Sequence, residues 1–439
     1  MFRYYFLLGL RNLARNPILT GLMVLTLAVG VAASISTLTI LHVMSGNPIP
    51  HKSARLLVPL VDNGPVKSYV PGSQPEDRQL SYRDAVNFQK SGLGEYRTAI
   101  YDVSGAIESA RPDLPVEQLN GLAVDADFFP MFEVPFLYGS AWSRAEDTSR
   151  ARVVVLSRNK SEKLFGKDNP VGRTLRIFGQ DFRVVGVLDT WNPVPRYPRL
   201  INSSGGGLSG EDQGYIPFHT ATDLELPNNA STSCQADERD PGYQGFLNSE
   251  CTWIQFWFQT KSAADRVAVA DYLRGYVAEQ RKLGRLMRDA PPQLFDVMEW
   301  MRYMEVVSND AHLAVWLSFG FLLLCLVNTT GLLLAKFSAR APEVGVRRAL
   351  GATRGAIFRQ FLVEAGVVGL AGGVLGLVLS AASLALIAKQ ARTLSVVAQM
   401  DWQMLALTFV LALVASLLAG LLPTWRACQV TPALQLKSQ

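Results

Sequence analysis

The residues able to do chemistry in this chain fall into a few groups. Glu343 to Glu364 (EVGVRRALGATRGAIFRQFLVE) carries Arg347, Arg348, Arg354 and Arg359, and Gly351 marks a sharp turn between two short amphipathic pieces. A basic stretch too short to fold as a domain presents a small shaped surface to a partner. Cys234 and Cys251 are close in sequence and would close a short loop as a disulfide if their region lies outside the cytoplasm; the alternative is two unpaired buried thiols. Glu364 opens an apolar run. An acid in a membrane often marks a proton or substrate path, but this one sits a turn from the basic stretch and reads as an interfacial residue near Arg359. Asn328, Thr329 and Thr330 fall in the middle of another apolar run and are expected to hydrogen-bond between helices. The histidines (His42, His51, His219, His312) lack metal-ligand spacing, and the chain has no HExxH, no GxSxG and no CxxC. It also has no GxxxxGK[ST], the spacing by which backbone N–H groups and a Lys converge on phosphate. Metal, nucleophilic and nucleotide chemistry therefore have no candidate residues, and recognition remains.

Composition sets where that recognition takes place. Mean hydropathy is above zero, and charged residues make up 18% of the chain, below the usual quarter. Residues 46–310 hold 29 Lys and Arg against 34 Asp and Glu, while the remainder holds 13 against 3. The basic balance thus belongs to the segments flanking apolar runs. That pattern suits anionic lipid headgroups and excludes nucleic acid, which would need basic residues interleaved with aromatics on a soluble face.

Four apolar runs are long enough to span a bilayer of about 30 Å: Ile18–Val43, Ala311–Leu334, Phe361–Ile387 and Met404–Leu422. Before the first, Met1 to Asn16 mixes aromatics with Arg3, Arg11 and Arg15, as an interfacial helix does. The first run exceeds a signal-peptide core and lacks a clean A-x-A site, so it reads as an uncleaved anchor. Gly30 and Ser34 form a small-residue patch in it; Gly369, Gly372, Gly373 and Gly376 form two overlapping GxxxG pairs in the third run. Basic residues concentrate at the termini and in the Arg-rich stretch, which places these inside and residues 46–310 outside.

That external region reads as a mixed α+β domain with its own core. Strands are expected at Leu56–Val61, Tyr96–Ile107, Val153–Leu156 and Trp253–Gln259, with helices at Ser81–Lys90 and Ser262–Leu286. A hairpin is expected from Thr174 to Val187 around Gly179, and the stretches 202–210 (NSSGGGLSG) and 226–245 read as loops. From Gln293 a helical pattern runs without a visible break into the span at Ala311, giving one long stalk helix or, alternatively, a short linker helix.

This order of elements, with LRNLARNPILTGLMVLTLAVGVA, VVVLSRNKSEKLFGKDNPVGRTLRIFGQDFRVVGVL, EVGVRRALGATRGAIFRQFLVE, GGVLG and LLPTWRACQVTPALQL, resembles the MacB/FtsX-type permeases of ATP-binding-cassette systems. The resemblance covers nearly the whole chain. It implies four transmembrane helices (about 311–336, 361–387 and 404–422 after the one in 1–45) and an extracytoplasmic domain, 46–310, ending in a stalk helix. A porter-like part (about 51–112 and 252–286) would carry an inserted β-rich part (about 113–250). The cytoplasmic loop 338–360 would be a coupling segment, with Glu343, Gly345, Arg347, Arg348, Gly351, Ala352 and Arg354 docking on a separate ATPase subunit that binds the ATP and magnesium. The resemblance further implies a bacterial inner-membrane protein, a dimer with a second permease, and a periplasmic adaptor with an outer-membrane channel as further partners. Two functions fit. One is export or extraction of an amphiphilic or peptide-like substrate, driven by motion passed along the stalk. The other is signalling, in which the same motion activates a periplasmic partner such as a cell-wall hydrolase. An enzyme with its own external active site lacks a catalytic constellation.

Overall fold

The computed structural model describes residues 16–75, 77–108, 115–201, 211–234, 240–390 and 402–428. The expected interfacial helix at Met1–Asn16 (but for Asn16), the glycine-rich stretch 202–210, the outer-loop Arg392 and the tail Lys437 lie outside the described residues. The chain divides into two compact units, one of residues 1–45 with 307–439 and one of residues 46–306.

The first unit begins with α1 (Pro17–Ser45), a run of 29 residues without an acidic group. In the second unit β1 (Leu56–Leu60) and β2 (Leu80–Ser81) precede α2 (Tyr82–Lys90), whose N-terminus is capped by Ser81 accepting from the Asp84 N–H. Then come β3 (Tyr96–Glu108), β4 (Glu117–Val124), β5 (Phe136–Gly139), β6 (Val153–Leu156), β7 (Thr174–Ile177), β8 (Gln180–Leu188), β9 (Gly214–Pro217) and β10 (Thr252–Gln259). The unit closes with α3 (Ala263–Lys282), opened by a Ser262/Asp265 capping box, then β11 (Gln293–Asp296) and α4 (Val297–Tyr303).

The 13-residue strand β3 joins two parts of one 11-stranded sheet. On one side the order β11-β1-β10-β3 is antiparallel throughout, with Leu57 opposite Asp296 and Phe256 opposite Ala99. Helices α2 and α3 cover it: Phe88 meets Phe256, Phe258 and Tyr276 at ring distances of 5.1–6.1 Å. Every residue of β10 is buried because both of its faces are covered, which explains its near-continuous apolar run, TWIQFWFQ. On the other side β3, β4, β9, β6, β8 and β7 pair in a closed ring, with β4/β9 and β6/β8 parallel. β5 pairs antiparallel with the end of β8 outside this ring. The hairpin β7–β8 turns at Phe178 and Gly179, both at positive φ (53° and 73°), the turn whose twist matches that of the strands.

Two expectations are corrected in this unit. The stretch 226–245 is not all loop, since Gly242–Asn248 is helical. The pattern from Gln293 to Leu334 is not one helix either. Gln293–Asp296 is a strand, α4 ends at Tyr303, and Glu305 takes a positive φ of 48°. Trp300, Met301 and Val306 are held in the unit's core, and Ser308 then caps a new helix by accepting from the Ala311 N–H.

That helix, α5 (Asn309–Ser338), returns to the first unit. It is followed by α6 (Ala341–Ala349), α7 (Arg354–Gln390) and α8 (Trp402–Cys428). α1, α5 and α7 (over Arg354–Leu386) are each long and apolar enough to cross a membrane. The expected second amphipathic piece is not separate: it forms the opening turns of α7. α1 packs against α5 and α7, and α7 against α8. Small residues permit the approach. A Cβ at Gly372 would lie 2.9 Å from Leu27 Cδ2, and one at Gly376 would lie 3.1 Å from the Ala28 carbonyl oxygen. Gly369 and Gly373 are buried on the same helix, and Gly30 faces Cys325 and Leu322. α1 makes hydrogen bonds to its neighbours: Ser34 Oγ donates to the Ser318 carbonyl at 3.0 Å, and the hydroxyls of Ser36 and Ser380 lie 3.1 Å apart. Thr329 and Thr330, expected in that role, donate instead to Cys325 and Leu326 of their own helix, and Asn328 is exposed.

Candidate coupling site

The Arg-rich stretch forms a helical hook. α6 starts with Pro342 in its first turn, where a missing N–H costs nothing, and Glu343 beside it suits the positive end of the helix. Its end is a two-bond cap: the Ala352 N–H donates to the Arg347 carbonyl at 3.0 Å and the Gly351 N–H to Arg348 at 3.1 Å. Gly351 carries φ +99°, which side-chain-bearing residues rarely adopt. Thr353 Oγ then accepts from the Ala356 N–H and starts α7. Gly351 and Ala352 thus fix the angle of the hook.

Arg347 points along the hook. Its guanidinium donates to Glu343 Oε1 at 2.6 Å and to Gln360 Oε1 at 3.0 Å, tying α6 to α7. Arg354 is exposed and Arg348 half-buried, while Gly345 is buried. On the inner side Val344 enters a cluster with Met23, Leu333, Phe337, Ile357 and Phe361, in which the Phe337 and Phe361 rings lie 4.3 Å apart. The hook is therefore packed onto α1, α5 and α7 and does not hang free.

Sequence reasoning passed over two residues on the outer side. Val346 is 54% exposed and Leu350 is 84% exposed, the largest exposure of a large apolar side chain among the described residues. Their four-residue spacing puts them on one helical face opposite Val344. That spacing was the available signal. An apolar pair flanked by arginines has the make-up of a protein contact.

Glu364 is also not where expected. It is fully buried, and its partners are Lys336, at 2.9 Å, and Arg340, at 3.0 Å, not Arg359. Arg359 donates to the Gly355 carbonyl of its own helix.

In the other unit Cys234 and Cys251 are bonded to each other. The neighbouring Glu250 accepts from Arg285, whose guanidinium also donates to Asp84 at 2.9 Å. Tyr276 donates to the same Asp84 at 2.6 Å. Burial pushes the Asp125 carboxyl up to about 8, with Asp147 nearby adding to the effect, and pushes Asp147 itself up to about 6. Each is nonetheless held by donors, the Ala99 N–H and Gln89 for Asp125, and the Ala126 N–H and Trp142 for Asp147. These acids tie structure together. Among the described residues no three His, Cys, Asp or Glu side chains are grouped to hold a metal ion.

A membrane-crossing helical unit bearing a capped basic hook, joined to an α+β unit on its long insertion, defines the class: a transport-type permease with an extramembrane domain. Family models make it specific. Residues 20–276 match the MacB-like periplasmic core domain and residues 315–432 the FtsX-like permease C-terminal. The chain belongs to the MacB/FtsX-type permeases of ATP-binding-cassette transporters. It is 23% identical over 409 residues to the macrolide export ATP-binding/permease protein MacB of Bdellovibrio bacteriovorus, covering 87% of this chain and 54% of that protein. To the pyoverdine export ATP-binding/permease protein PvdT of Pseudomonas aeruginosa it is 25% identical, covering 72% and 42%. The chain spans about half the length of the curated relatives it matches. Among solved structures, the periplasmic region of MacB from Actinobacillus actinomycetemcomitans aligns at 14% identity and a TM-score of 0.37, covering 58% of this chain and 95% of that one.

Proposed function

We propose that this chain is the permease part of a complex in which ATP hydrolysis by a cytoplasmic ATPase subunit moves the external unit, driving export or extraction of an amphiphilic or peptide-like substrate. The observation that carries the reading is the hook: an exposed apolar pair, Val346 and Leu350, with arginines around it, set on a helix locked by its cap and packed into the membrane unit. Such a surface transmits force, because a partner that shifts α6 must shift Val344 and the helices around it. The export-named relatives support this direction of use.

In this reading α8 is a fourth span, termini and hook face the cytoplasm, and residues 46–306 lie in the periplasm of an inner-membrane protein. A second permease copy completes the assembly, with an adaptor and an outer-membrane channel as further partners. Nucleotide and magnesium sit on the ATPase.

The test is capture of the ATPase from native membranes in mild detergent. Arg347→Glu with Arg348→Glu, and separately Leu350→Asp, should each cut ATPase recovery at least about tenfold, as loss of a contact hot spot does. Leu350→Asp leaves the Arg347–Glu343 pair intact, so its effect is on the surface alone. Undiminished recovery with both variants would remove the docking assignment.

A further inference from the structure

Three charged side chains meet at the base of the hook, two of them fully buried and the third largely so. Lys336 comes from the last turn of α5, Arg340 from the corner immediately before α6, and Glu364 from α7. Glu364 Oε1 lies 2.9 Å from Lys336 Nζ, and Arg340 Nη1 donates to Oε1 and Oε2 at 3.2 and 3.0 Å. Lys336 also reaches the Thr20 hydroxyl of α1 at 3.5 Å. Lys336 and Glu364 are fully buried, and the Arg340 side chain is 13% exposed. The neighbouring Phe337 and Phe361 make the surroundings apolar, so the charges interact strongly.

Nothing in helix adhesion requires this arrangement, since apolar side chains of similar volume hold helices at least as well as a buried ion pair does. A charge joint supplies direction. Only two residues, Ala339 and Arg340, separate α5 from α6. One carboxylate taken by both cations therefore fixes the angle between α5, α6 and α7 at the corner where the hook turns out.

We infer that Glu364 is a positioning residue, the joint through which displacement of α6 is passed to α1, α5 and α7. This rests on the coupling reading above. Glu364 acts through Lys336 and Arg340 and touches neither nucleotide nor substrate.

The experiment uses the full chain captured with its ATPase, and reads hydrogen–deuterium exchange of residues 46–306 with and without ATP. Three variants are compared at equal ATPase stoichiometry. These are Glu364→Gln, an inverted joint (Glu364→Lys, Lys336→Glu, Arg340→Glu), and an apolar joint with Met at all three positions. The unaltered chain should show an ATP-dependent change of at least about twofold in some external peptides. Glu364→Gln and the apolar joint should retain the ATPase but reduce that change to nil, and the inverted joint should recover half of it or more. Full ATP response from the apolar joint, or an inverted joint no better than Glu364→Gln, overturns the inference while leaving the coupling reading in place. An unaltered chain that binds the ATPase but shows no ATP response overturns both. Should Glu364→Gln be recovered only as aggregate, the inverted and apolar joints decide, because neither buries like charges without a partner.

Discussion

Reduction of the Cys234–Cys251 bond gives a quantitative test of how the external unit is held. The bond closes a loop of 17 residues' separation in sequence. In the chain-entropy description, freeing such a loop in the unfolded state costs the native state about 3 kcal/mol at 25 °C. The native contacts near it survive the cut. Cys251 is buried within the cluster that holds Trp253 and Phe256, and Glu250 keeps its hydrogen bonds to Arg285. Little should be added to the entropic figure for lost packing. For the unit Gly46–Val306, an unfolding entropy of about 2.1 cal/mol/K per residue turns 3 kcal/mol into a fall of about 6 °C in melting temperature. The assay is intrinsic tryptophan fluorescence of the purified full chain on heating, since Trp253, Trp257 and Trp300 are buried in this unit. The oxidised chain is compared with Cys234→Ser/Cys251→Ser, the bond in the former being verified by mass spectrometry. A shift below 1 °C with the bond intact would refute the reasoning, because the loop would then be equally constrained in the unfolded chain. Free thiols in protein taken from native membranes would remove a support for the extracytoplasmic placement.

Three further outcomes follow from particular side chains. Gly376→Val should destabilise the membrane unit by about 1–3 kcal/mol through overpacking, as the added atoms meet the Ala28 carbonyl oxygen and Val31; Gly355→Ala, in open space, is the neutral control, and thermal aggregation in detergent reads both. A carboxyl whose pKa is raised in the fold holds its proton longer there than in the unfolded chain, so its stabilisation is complete below the unfolded value near 4 and fades as pH rises through the folded value. The external unit should accordingly melt lower as pH goes from 4 through about 6 (Asp147) to about 8 (Asp125). Asp125→Asn should flatten the upper part of that slope, and an unchanged slope by fluorescence melting would assign it to other groups. In intact cells an impermeant thiol reagent should label Val66→Cys, at an exposed position of the short 3-10 helix Val66–Ser68, and should spare Leu350→Cys until the membrane is opened; the reverse pattern would invert the proposed topology.

What the sequence revealed and what it hid divide along a physical line. Local signals were readable: the helix starts near Ser81 and Ser262, the hairpin turn around Gly179, Gly351 as a helix stop, and the apolar runs of α1, α5 and α7. Each depends on neighbours within a few residues. The ring in the external unit depends on Ile107 meeting Ile177 and Leu122 meeting Tyr215, pairings across tens of residues that no alternation announces. The end of α4 was hidden for the same reason. Met301–Val307 contains no Gly or Pro to mark a break, and the chain turns there because Trp300, Met301 and Val306 are drawn into a core assembled from distant strands.

The charges show the same limit where it bears most on function. By position alone, Lys336 and Arg340 are two more basic residues on the inner side, counted with Arg347 and Arg348 as markers of orientation, and Glu364 is an acid near a bilayer surface. In the folded unit both cations are bound to Glu364, at 2.9 and 3.0 Å, with Lys336 and Glu364 fully buried and Arg340 largely so. Orientation requires only that positive charge stay on one side, and exposed lysines would meet that need without the cost of burial. Burying two cations around one carboxylate, at the corner from which the hook projects, answers a different requirement: that α5, α6 and α7 keep a defined angle while something pulls on α6.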